Sequence, residues 1–382
     1  MSYYNYMNNK NHFIGPLPLD TPPQQVPDPF EAQRKKAEVE SHVMAELYRL
    51  SDYEAEYSGD EWFDKHDKND LTVINGILFD KKEKSIVRIP SFWKGSYAIP
   101  EGIKKIGPMA FSKTEVSEII IPDTVEEIGE YAFYLMNHYY TLRINKETSR
   151  LQKIGDYAFS YENGMTKREW GEQPFSFTIP PMVREIGINP FKGAFIDRID
   201  VSRDNPYYTS IDGVLFSGDL TRLIAYPRSK SDSKYTVPNT TRHIAEHAFE
   251  LCGGLYEVVL PEELQSIGPE AFSECGDLMN INIPSSLKTI EKRVFQLTNL
   301  QVVDMPETID YIDALAFSGL YHPHTVIIRG SRTKIAYDAI SSYGGFSLLK
   351  VMPDSPAEEV AKKMDIRYKY INETDSFAWL KT

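Results

Sequence analysis

The segment RHIAEHAF, residues 242–249, carries side chains that could bind a metal ion. His243, Glu246 and His247 fit the pattern H-x-x-E-H, in which two imidazoles on one helix face hold zinc beside a catalytic carboxylate. This pattern makes a zinc hydrolase one hypothesis. A zinc site would also need a third protein ligand and an uninterrupted helix, whereas related segments of the chain have Gly in place of Ala245. We therefore favour a structural role for these residues.

Other catalytic signatures are missing from the sequence. It contains no G-x-S-x-G nucleophile turn, no phosphate-binding G-x-x-x-x-G-K and no dinucleotide-binding G-x-G-x-x-G. We therefore expect a protein that is not an enzyme and that needs no cofactor or metal.

The two cysteines, Cys252 and Cys275, are 23 residues apart in the similar contexts ELCGGL and SECGDL. We expect two buried thiols on neighbouring repeats. A disulfide between them is also open, because stacked repeats would bring the two residues close together.

Composition limits the class of partner. The 382 residues carry 55 acidic and 42 basic side chains, a net charge of -13, which disfavours a phosphate-binding surface and hence nucleic acid. No run of 18 apolar residues predicts a membrane span, so we expect no membrane insertion. The absence of a signal-peptide pattern favours the cytoplasm, with the cell surface or secretion as the alternative if a leader was removed.

The chain begins with two segments that precede the repetitive part. Residues 1–29 are rich in Asn, Pro and Tyr and predict an extended arm. Residues 30–70 predict an amphipathic capping helix followed by an acidic connector. The helix would bury an apolar stripe formed by Val39, Val43, Leu47 and Leu50.

From residue 71 the sequence repeats a short unit. The segments IIIPDTVEEIGEYAF, VVLPEELQSIGPEAF and INIPSSLKTIEKRVF share an alternating strand, a Pro, an apolar residue and a terminal Ala-Phe or Val-Phe. The shortest spacings are 22 and 23 residues, with longer ones in the middle of the array. The terminal phenylalanines are Phe111, Phe133, Phe159, Phe191, Phe249, Phe272, Phe295 and Phe317.

A longer module occurs twice. The segment INGILF at residues 74–79 corresponds to IDGVLF at residues 211–216, an offset of 137 residues. The same offset relates Gly76 to Gly213 and Pro90 to Pro227. The longest spacing between terminal phenylalanines therefore reflects a second copy of this module.

These units predict a solenoid. One unit buries too little apolar surface to fold alone, whereas stacked units share a continuous core. The recurring Gly would permit a tight bend, the Ala would leave room and the Phe would fill the core. We expect an α/β repeat solenoid over residues 71–343, a right-handed coil with one long parallel sheet.

A terminal cap is predicted for residues 344–382, as a strand, a short helix and a strand. Ser355 is a good N-cap, Pro356 suits the first helical position, and Glu358 and Glu359 complement the helix dipole.

The repeats resemble the BspA-like family of leucine-rich repeats, whose units approximate L-x-x-I-x-I-P followed by V-x-x-I-G-x-x-A-F. The match spans roughly residues 71–370. The resemblance implies a curved solenoid used for binding, often in bacterial surface proteins that attach to host or partner macromolecules. Alignment of the chain's own repeats places His247 at a position occupied elsewhere by residues of mixed chemistry, such as Tyr131 and Glu270, which predicts an outward side chain.

The outward strand positions are the first candidate binding surface, because solenoid faces commonly bind through many modest contacts. They mix hydrogen-bonding groups, both charge signs and a few apolar side chains. The candidates are Glu118, Ile120, Arg143, Thr178, Arg198, Asp200, Thr236, Glu257, Asn280, Asn282 and Asp304.

Aromatic side chains in the mid-array insertions are the second candidate surface, because loop aromatics often anchor partners. They are Tyr139, Tyr140, Trp170, Tyr207 and Tyr208. The two surfaces predict a non-catalytic, adhesin-like protein that binds a protein or glycan. An intracellular scaffold or regulator is the alternative, and the zinc hydrolase is a remote one.

Overall fold

The computed structural model describes residues 69–90, 93–136, 141–161, 174–320, 324–340 and 348–372. These residues belong to one compact unit that starts at residue 66. The predicted arm, the amphipathic helix and the aromatic residues Tyr139, Tyr140 and Trp170 lie outside the described residues.

The described part is a β-solenoid of about 11 turns, as the repeats predict. Each turn, here called a rung, contributes strands to two rows. The first strand row contains the strands that open the rungs, most of which precede the repeat proline: β4 (Lys94–Ala98), β6 (Glu115–Ile121), β8 (Thr141–Ile144), β10 (Phe175–Ile179), β12 (Ile196–Val201), β16 (Lys234–Thr236), β18 (Glu257–Val259), β20 (Asn280–Ile281), β22 (Val302–Met305), β24 (Thr325–Ile328), β26 (Leu348–Val351) and β27 (Tyr368–Tyr370).

The second strand row contains mainly two-residue strands that follow the proline. They are β5 (Lys105–Ile106), β7 (Glu127–Ile128), β9 (Lys153–Ile154), β11 (Glu185–Ile186), β17 (His243–Ile244), β19 (Ser266–Ile267), β21 (Thr289–Ile290), β23 (Tyr311–Ile312) and β25 (Lys334–Ile335).

Each of the two long modules opens with a three-stranded antiparallel meander that leads into the second row. The first meander is β1 (Leu71–Ile74), β2 (Ile77–Asp80) and β3 (Ser85–Arg88), and the second is β13 (Tyr208–Ile211), β14 (Val214–Ser217) and β15 (Arg222–Ala225). The last strand of each meander pairs in parallel with the next second-row strand. The duplication seen in the sequence is therefore a duplication of structure.

The first strand row is parallel, but it is not the single long sheet that we expected. It is divided into the sheets β4-β6-β8, β10-β12, β16-β18-β20 and β22-β24-β26-β27. The second meander is inserted in the chain between β12 and β16, which separates two of these sheets. β20 has only two residues, and it does not pair with β22 in one sheet. A backbone hydrogen bond of 3.3 Å from Gln301 N to Met279 O joins the two rungs beside these strands.

A repeat proline follows most first-row strands within three residues and begins a tight turn, whereas β8, β12, β24 and β27 have none there. In the rung of Pro261, the proline carbonyl accepts a hydrogen bond of 3.1 Å from Leu264 N, and Leu264 is fully buried. The same proline-led turn places Val125 and Leu287 in the core. Proline suits this position because it lacks the amide that a continuing strand would donate.

The core consists of aromatic rings stacked from rung to rung. Phe111, Phe133, Phe159 and Phe191 form one stack, with successive ring centroids 5.1 Å apart. A second stack starts at Tyr226 and continues through the phenylalanines of the later rungs: Phe249, Phe272, Phe295 and Phe317. The buried side chains form two core clusters, one for each module.

The recurring glycine has a different role from the bend that the sequence suggested. Gly107, Gly129, Gly155 and Gly268 do not have positive φ angles, but a Cβ on each would lie 2.5–2.7 Å from the nearest backbone atom of the preceding rung. Glycine is therefore required by the close approach of two backbones. The left-handed conformation belongs instead to the residue two positions later, for example Glu270 with a φ of 55°.

The C-terminal strand, helix and strand are present as β26, the helix α1 (Pro356–Lys363) and β27. Ser355 Oγ accepts a hydrogen bond of 3.2 Å from Glu358 N, and Pro356 occupies the first helical turn. The buried Glu358 carboxylate also accepts hydrogen bonds from Asp354 N at 2.7 Å and from Tyr370 Oη at 2.8 Å. Glu358 thus joins the start of the helix to the strand that follows it.

Replacing Glu358 by Gln is expected to loosen this cap. Hydrogen bonds from Lys362 and Tyr370 lower the pKa of Glu358 from 4.5 to about 2. A lowered pKa means that the ionised carboxylate stabilises the fold above pH 4.5, and that this contribution is lost as the pH falls towards 2. Hydrogen exchange in residues 354–370 should therefore be faster in Glu358→Gln than in the wild type at neutral pH, and the difference should shrink on acidification.

Glu359→Gln is the matched control, because Glu359 lies in the same first helical turn but is exposed. Equal loosening by both variants would show that only the helix dipole matters and would contradict the proposed role of Glu358.

Candidate functional site

The zinc-hydrolase hypothesis requires a helix over residues 242–249, which the structure does not have in this segment. Residues 242–249 form a two-residue strand and a turn, in which His247 has a φ of 56°. His243 lies in β17, and its Nδ1 is 2.9 Å from Ser266 Oγ on the next rung. The two imidazoles therefore do not share a helix face, and the H-x-x-E-H pattern comes from the repeat.

The predicted outward orientation of His247 is wrong. His247 is buried, as are Tyr131 and Asn189 at the same repeat position. The Tyr157 ring meets the His247 ring edge to face at 5.6 Å, and Asn189 Nδ2 donates a hydrogen bond of 2.7 Å to His247 O. Mixed chemistry at this position reflects packing between neighbouring rungs, because a left-handed turn folds these side chains towards one another.

The outward positions of the first strand row follow the strand alternation. In β18, Val258 is buried while Glu257 and Val259 are partly exposed. The eleven predicted residues, which we call the strand face, all have partly or fully exposed side chains: Glu118, Ile120, Arg143, Thr178, Arg198, Asp200, Thr236, Glu257, Asn280, Asn282 and Asp304. Their role in binding remains a prediction.

Ion pairs along the strand face connect neighbouring rungs. Arg143 Nε lies 2.5 Å from Glu118 Oε1, and Lys234 Nζ lies 2.7 Å from Glu257 Oε1. A hydrogen bond from Ser96 and the charge of Arg143 lower the pKa of Glu118. The charged side chains are therefore already paired with one another.

Two further pairs complete this arrangement. Arg329 forms a bidentate ion pair with Asp304, with nitrogen-oxygen distances of 2.7 and 2.6 Å. Arg198 Nε bonds both carboxylate oxygens of Asp200, its neighbour on the same strand, and this contact raises the pKa of Arg198.

Asn282 supports the fold as well as facing outward. Its side-chain oxygen accepts from Leu260 N at 2.7 Å, and its Nδ2 donates to Leu260 O at 2.9 Å. The amide thus continues the pairing of β18 and β20 beyond the end of β20. Sequence reasoning could not separate this role from ligand binding, because both place Asn on the exposed side.

Of the predicted loop aromatics, the structure describes Tyr207 and Tyr208. Asn205 Oδ1 accepts hydrogen bonds from both of their backbone amides, at 2.8 and 3.0 Å. Tyr207 is exposed, whereas Tyr208 is half-buried and donates a hydrogen bond of 3.2 Å to Arg184 O. Burial raises the pKa of Tyr208.

Cys252 and Cys275 are free, buried thiols, as the sequence predicted. Each donates towards a carbonyl of the preceding rung: Cys275 Sγ lies 2.9 Å from Phe249 O, and Cys252 Sγ lies 3.7 Å from Tyr226 O. Burial raises the pKa of both thiols. The thiolate needed for nucleophilic chemistry is therefore disfavoured in both.

A buried charged cluster at the junction of the two modules was missed in the sequence. Lys192 follows Phe191, and Glu250 follows Phe249, the next terminal Phe of the array. Their side chains form an ion pair of 3.3 Å in which Glu250 is 4% and Lys192 13% exposed. In four other rungs this repeat position is a buried serine, namely Ser112, Ser160, Ser273 and Ser318. The charged residues at this usually small, buried position were the sequence signal for the cluster.

The stacked rungs, the proline-led turns and the aromatic column together define a leucine-rich-repeat type of β-solenoid. The family model of the BspA type leucine rich repeat region matches this chain in six copies, over residues 95–220 and 224–344. The chain belongs to this family, as the resemblance of its repeats implied.

Solved structures of bacterial proteins are similar to this chain. The pneumococcal vaccine antigen PcpA matches 79% of this chain and 98% of its own, at 20% identity and a TM-score of 0.50. A leucine-rich cell surface protein from Faecalibacterium prausnitzii matches 81% of this chain and 97% of its own, at 22% identity and a TM-score of 0.40. A leucine-rich repeat protein from Eubacterium ventriosum matches 63% of this chain and 73% of its own, at 20% identity and a TM-score of 0.43.

Comparison with curated proteins finds no match. Among the described residues, no helix has both the length and the apolar character needed to cross a lipid bilayer.

Proposed function

We propose that this protein is a non-catalytic, adhesin-like binding protein that presents the strand face to a protein or glycan partner. The observation that carries the proposal is the regular outward row itself, in which parallel strands hold exposed side chains in register over many rungs. Such a preformed surface binds a partner with little loss of side-chain freedom. The family expectation that BspA-type repeats attach to other macromolecules agrees with this role.

The charge pattern of the strand face indicates the kind of contact. The chain carries a net charge of -13, yet the acidic groups at Glu118, Glu257 and Asp304 each have a basic partner within 3 Å. Hydroxyls, amides and apolar side chains, such as Ile120 at 39% exposure, lie beside these pairs, so a partner would meet paired charges together with neutral groups. These groups suit hydrogen bonding and apolar contact, as in protein and glycan recognition, rather than the binding of polyanions.

Exchange of a paired lysine and glutamate tests the strand face without leaving a charge unpaired. In the double variant Lys234→Glu with Glu257→Lys, the ion pair can re-form with reversed polarity, so the fold should persist. The matched control reverses Lys104 and Glu126, an ion pair of 2.9 Å beside the second strand row.

The immobilised protein would be tested against a glycan array and a panel of purified extracellular matrix glycoproteins. We expect a ligand whose affinity falls about tenfold in the strand-face exchange, as for a moderate interface contact, and is unchanged in the second-row exchange. The absence of any ligand, or equal affinities for the two exchanges, would contradict the proposal.

A further inference from the structure

Three side chains at the junction of the two modules converge on one point. His247 and Glu250 belong to the first rung after the second meander, and Glu270 belongs to the rung that follows. His247 Nδ1 contacts Glu250 Oε2 and lies 3.7 Å from Glu270 Oε2. One ligand atom from each of the three residues lies within 4.8 Å of the other two. We call these residues the junction triad.

Each carboxylate of the triad has its other oxygen held by a basic side chain. Lys192 Nζ lies 3.3 Å from Glu250 Oε1, and Arg293 Nη1 lies 3.2 Å from Glu270 Oε1. The Oε2 atoms of both carboxylates are thereby directed at the same imidazole nitrogen. Such outer contacts orient ligand side chains in metal centres.

The opposite edge of the imidazole has a carboxylate partner. Glu246 Oε1 lies 3.4 Å from His247 Nε2. Without an ion, the contact between Nδ1 and Glu250 requires a shared proton. A metal ion at Nδ1 would displace that proton, and Glu246 would then accept a hydrogen bond from the proton on Nε2. A carboxylate, a histidine and then a metal ion is the usual arrangement of histidine ligands in proteins.

We propose that the junction triad binds one divalent transition-metal ion, with zinc as the expected ion. One imidazole nitrogen and two carboxylate oxygens are ligands that zinc accepts, with water completing a four-coordinate site. The nitrogen ligand disfavours magnesium and calcium, which prefer oxygen ligands alone. His247 and Glu250 are buried, while the Glu270 side chain is 23% exposed and gives the ion a route from solvent.

This site differs from the H-x-x-E-H hypothesis in its residues and its geometry. The expectation of no metal followed from rejecting a helical motif that included His243. The triad leaves out His243, uses Nδ1 of His247 and recruits Glu270 from the next rung. Glu246, the catalytic carboxylate of the helical motif, becomes the group that orients His247.

Titration of the chelator-treated full-length protein with zinc chloride, followed by calorimetry, tests the site. We expect one equivalent of zinc to bind and to raise the thermal unfolding temperature, because an ion that binds only the folded state stabilises it. Magnesium chloride at the same concentration should do neither. Cobalt(II) bound at the site should show the visible absorption of a low-symmetry, nitrogen-containing site.

The variants His247→Gln and Glu270→Gln should each lower the zinc affinity at least tenfold, whereas Glu246→Gln should lower it about tenfold through its effect on His247. His243→Gln is the matched control and should bind as the wild type does. Glu270→Gln changes a partly exposed side chain, so it keeps the test valid if His247→Gln fails to fold. The proposal is overturned if the wild type binds no zinc, if both triad variants bind it normally, or if His243→Gln weakens binding as much as they do. In the first of these cases, the triad would be a proton-sharing ion-pair network.

Discussion

Replacing Phe272 by Ala is expected to lower the free energy of unfolding by about 3–5 kcal/mol, the usual cost of removing a buried phenylalanine. Phe272 is fully buried, and its ring stacks between those of Phe249 and Phe295, with centroid distances of 4.7 and 5.7 Å. The substitution would remove one ring from the middle of the column and leave a cavity facing both neighbours.

The loss should be concentrated in the module that contains Phe272, because each rung contacts mainly its neighbours. Urea unfolding would give the overall change. Hydrogen exchange followed by mass spectrometry should show that the substitution speeds exchange, relative to the wild type, in residues 249–295. The increase should be smaller in residues 111–159, which pack in the other core cluster. Tyr256→Ala is a suitable control, since Tyr256 lies between the same rungs and is 45% exposed. A uniform rise in exchange over both modules would contradict the expected local effect.

Replacing Gly268 by Ala is expected to lower the free energy of unfolding by about 1–3 kcal/mol, as overpacking does. A Cβ at this position would lie 2.5 Å from Glu246 N and 2.9 Å from Ala245 C, both backbone atoms of the preceding rung. In an open position the same change would stabilise the fold by about 0.4–1 kcal/mol, because Ala restricts the unfolded chain more than Gly does. The steric contact should outweigh that gain.

Gly253→Ala provides the matched control. Gly253 also lacks a positive φ, and the nearest atom to its added Cβ is Asp277 Oδ2 at 3.9 Å. This variant should be neutral or slightly more stable than the wild type in urea unfolding. If Gly268→Ala were equally stable, the rungs could separate without loss, and the close approach would not explain the recurring glycine.

Local features of the repeat were predictable from the sequence. Proline ends a strand, alternation in β18 buries Val258, and a recurring aromatic fills the core, so the solenoid followed from the physical chemistry of single units. The C-terminal helix was predictable from its N-cap serine and first-turn proline for the same reason. These features depend on residues close together in the sequence.

Contacts between rungs were harder to predict. The role of Gly268 depends on the distance to the backbone of the preceding rung. The burial of His247 depends on a left-handed turn that its residue type does not predict. The junction cluster joins Lys192 to Glu250 across a long insertion that includes the second meander. No periodic pattern specifies which side chains meet after such an insertion.

The ion pairs between rungs limit how this array can change length during evolution. Arg242 Nη2 and Glu263 Oε2 lie 2.7 Å apart and, like Lys234 and Glu257, come from adjacent repeats. Loss or gain of a single repeat would split such pairs at the splice point and set foreign backbones against Gly268. A change at the boundary between the two meander-led blocks would instead split the buried pair of Lys192 and Glu250.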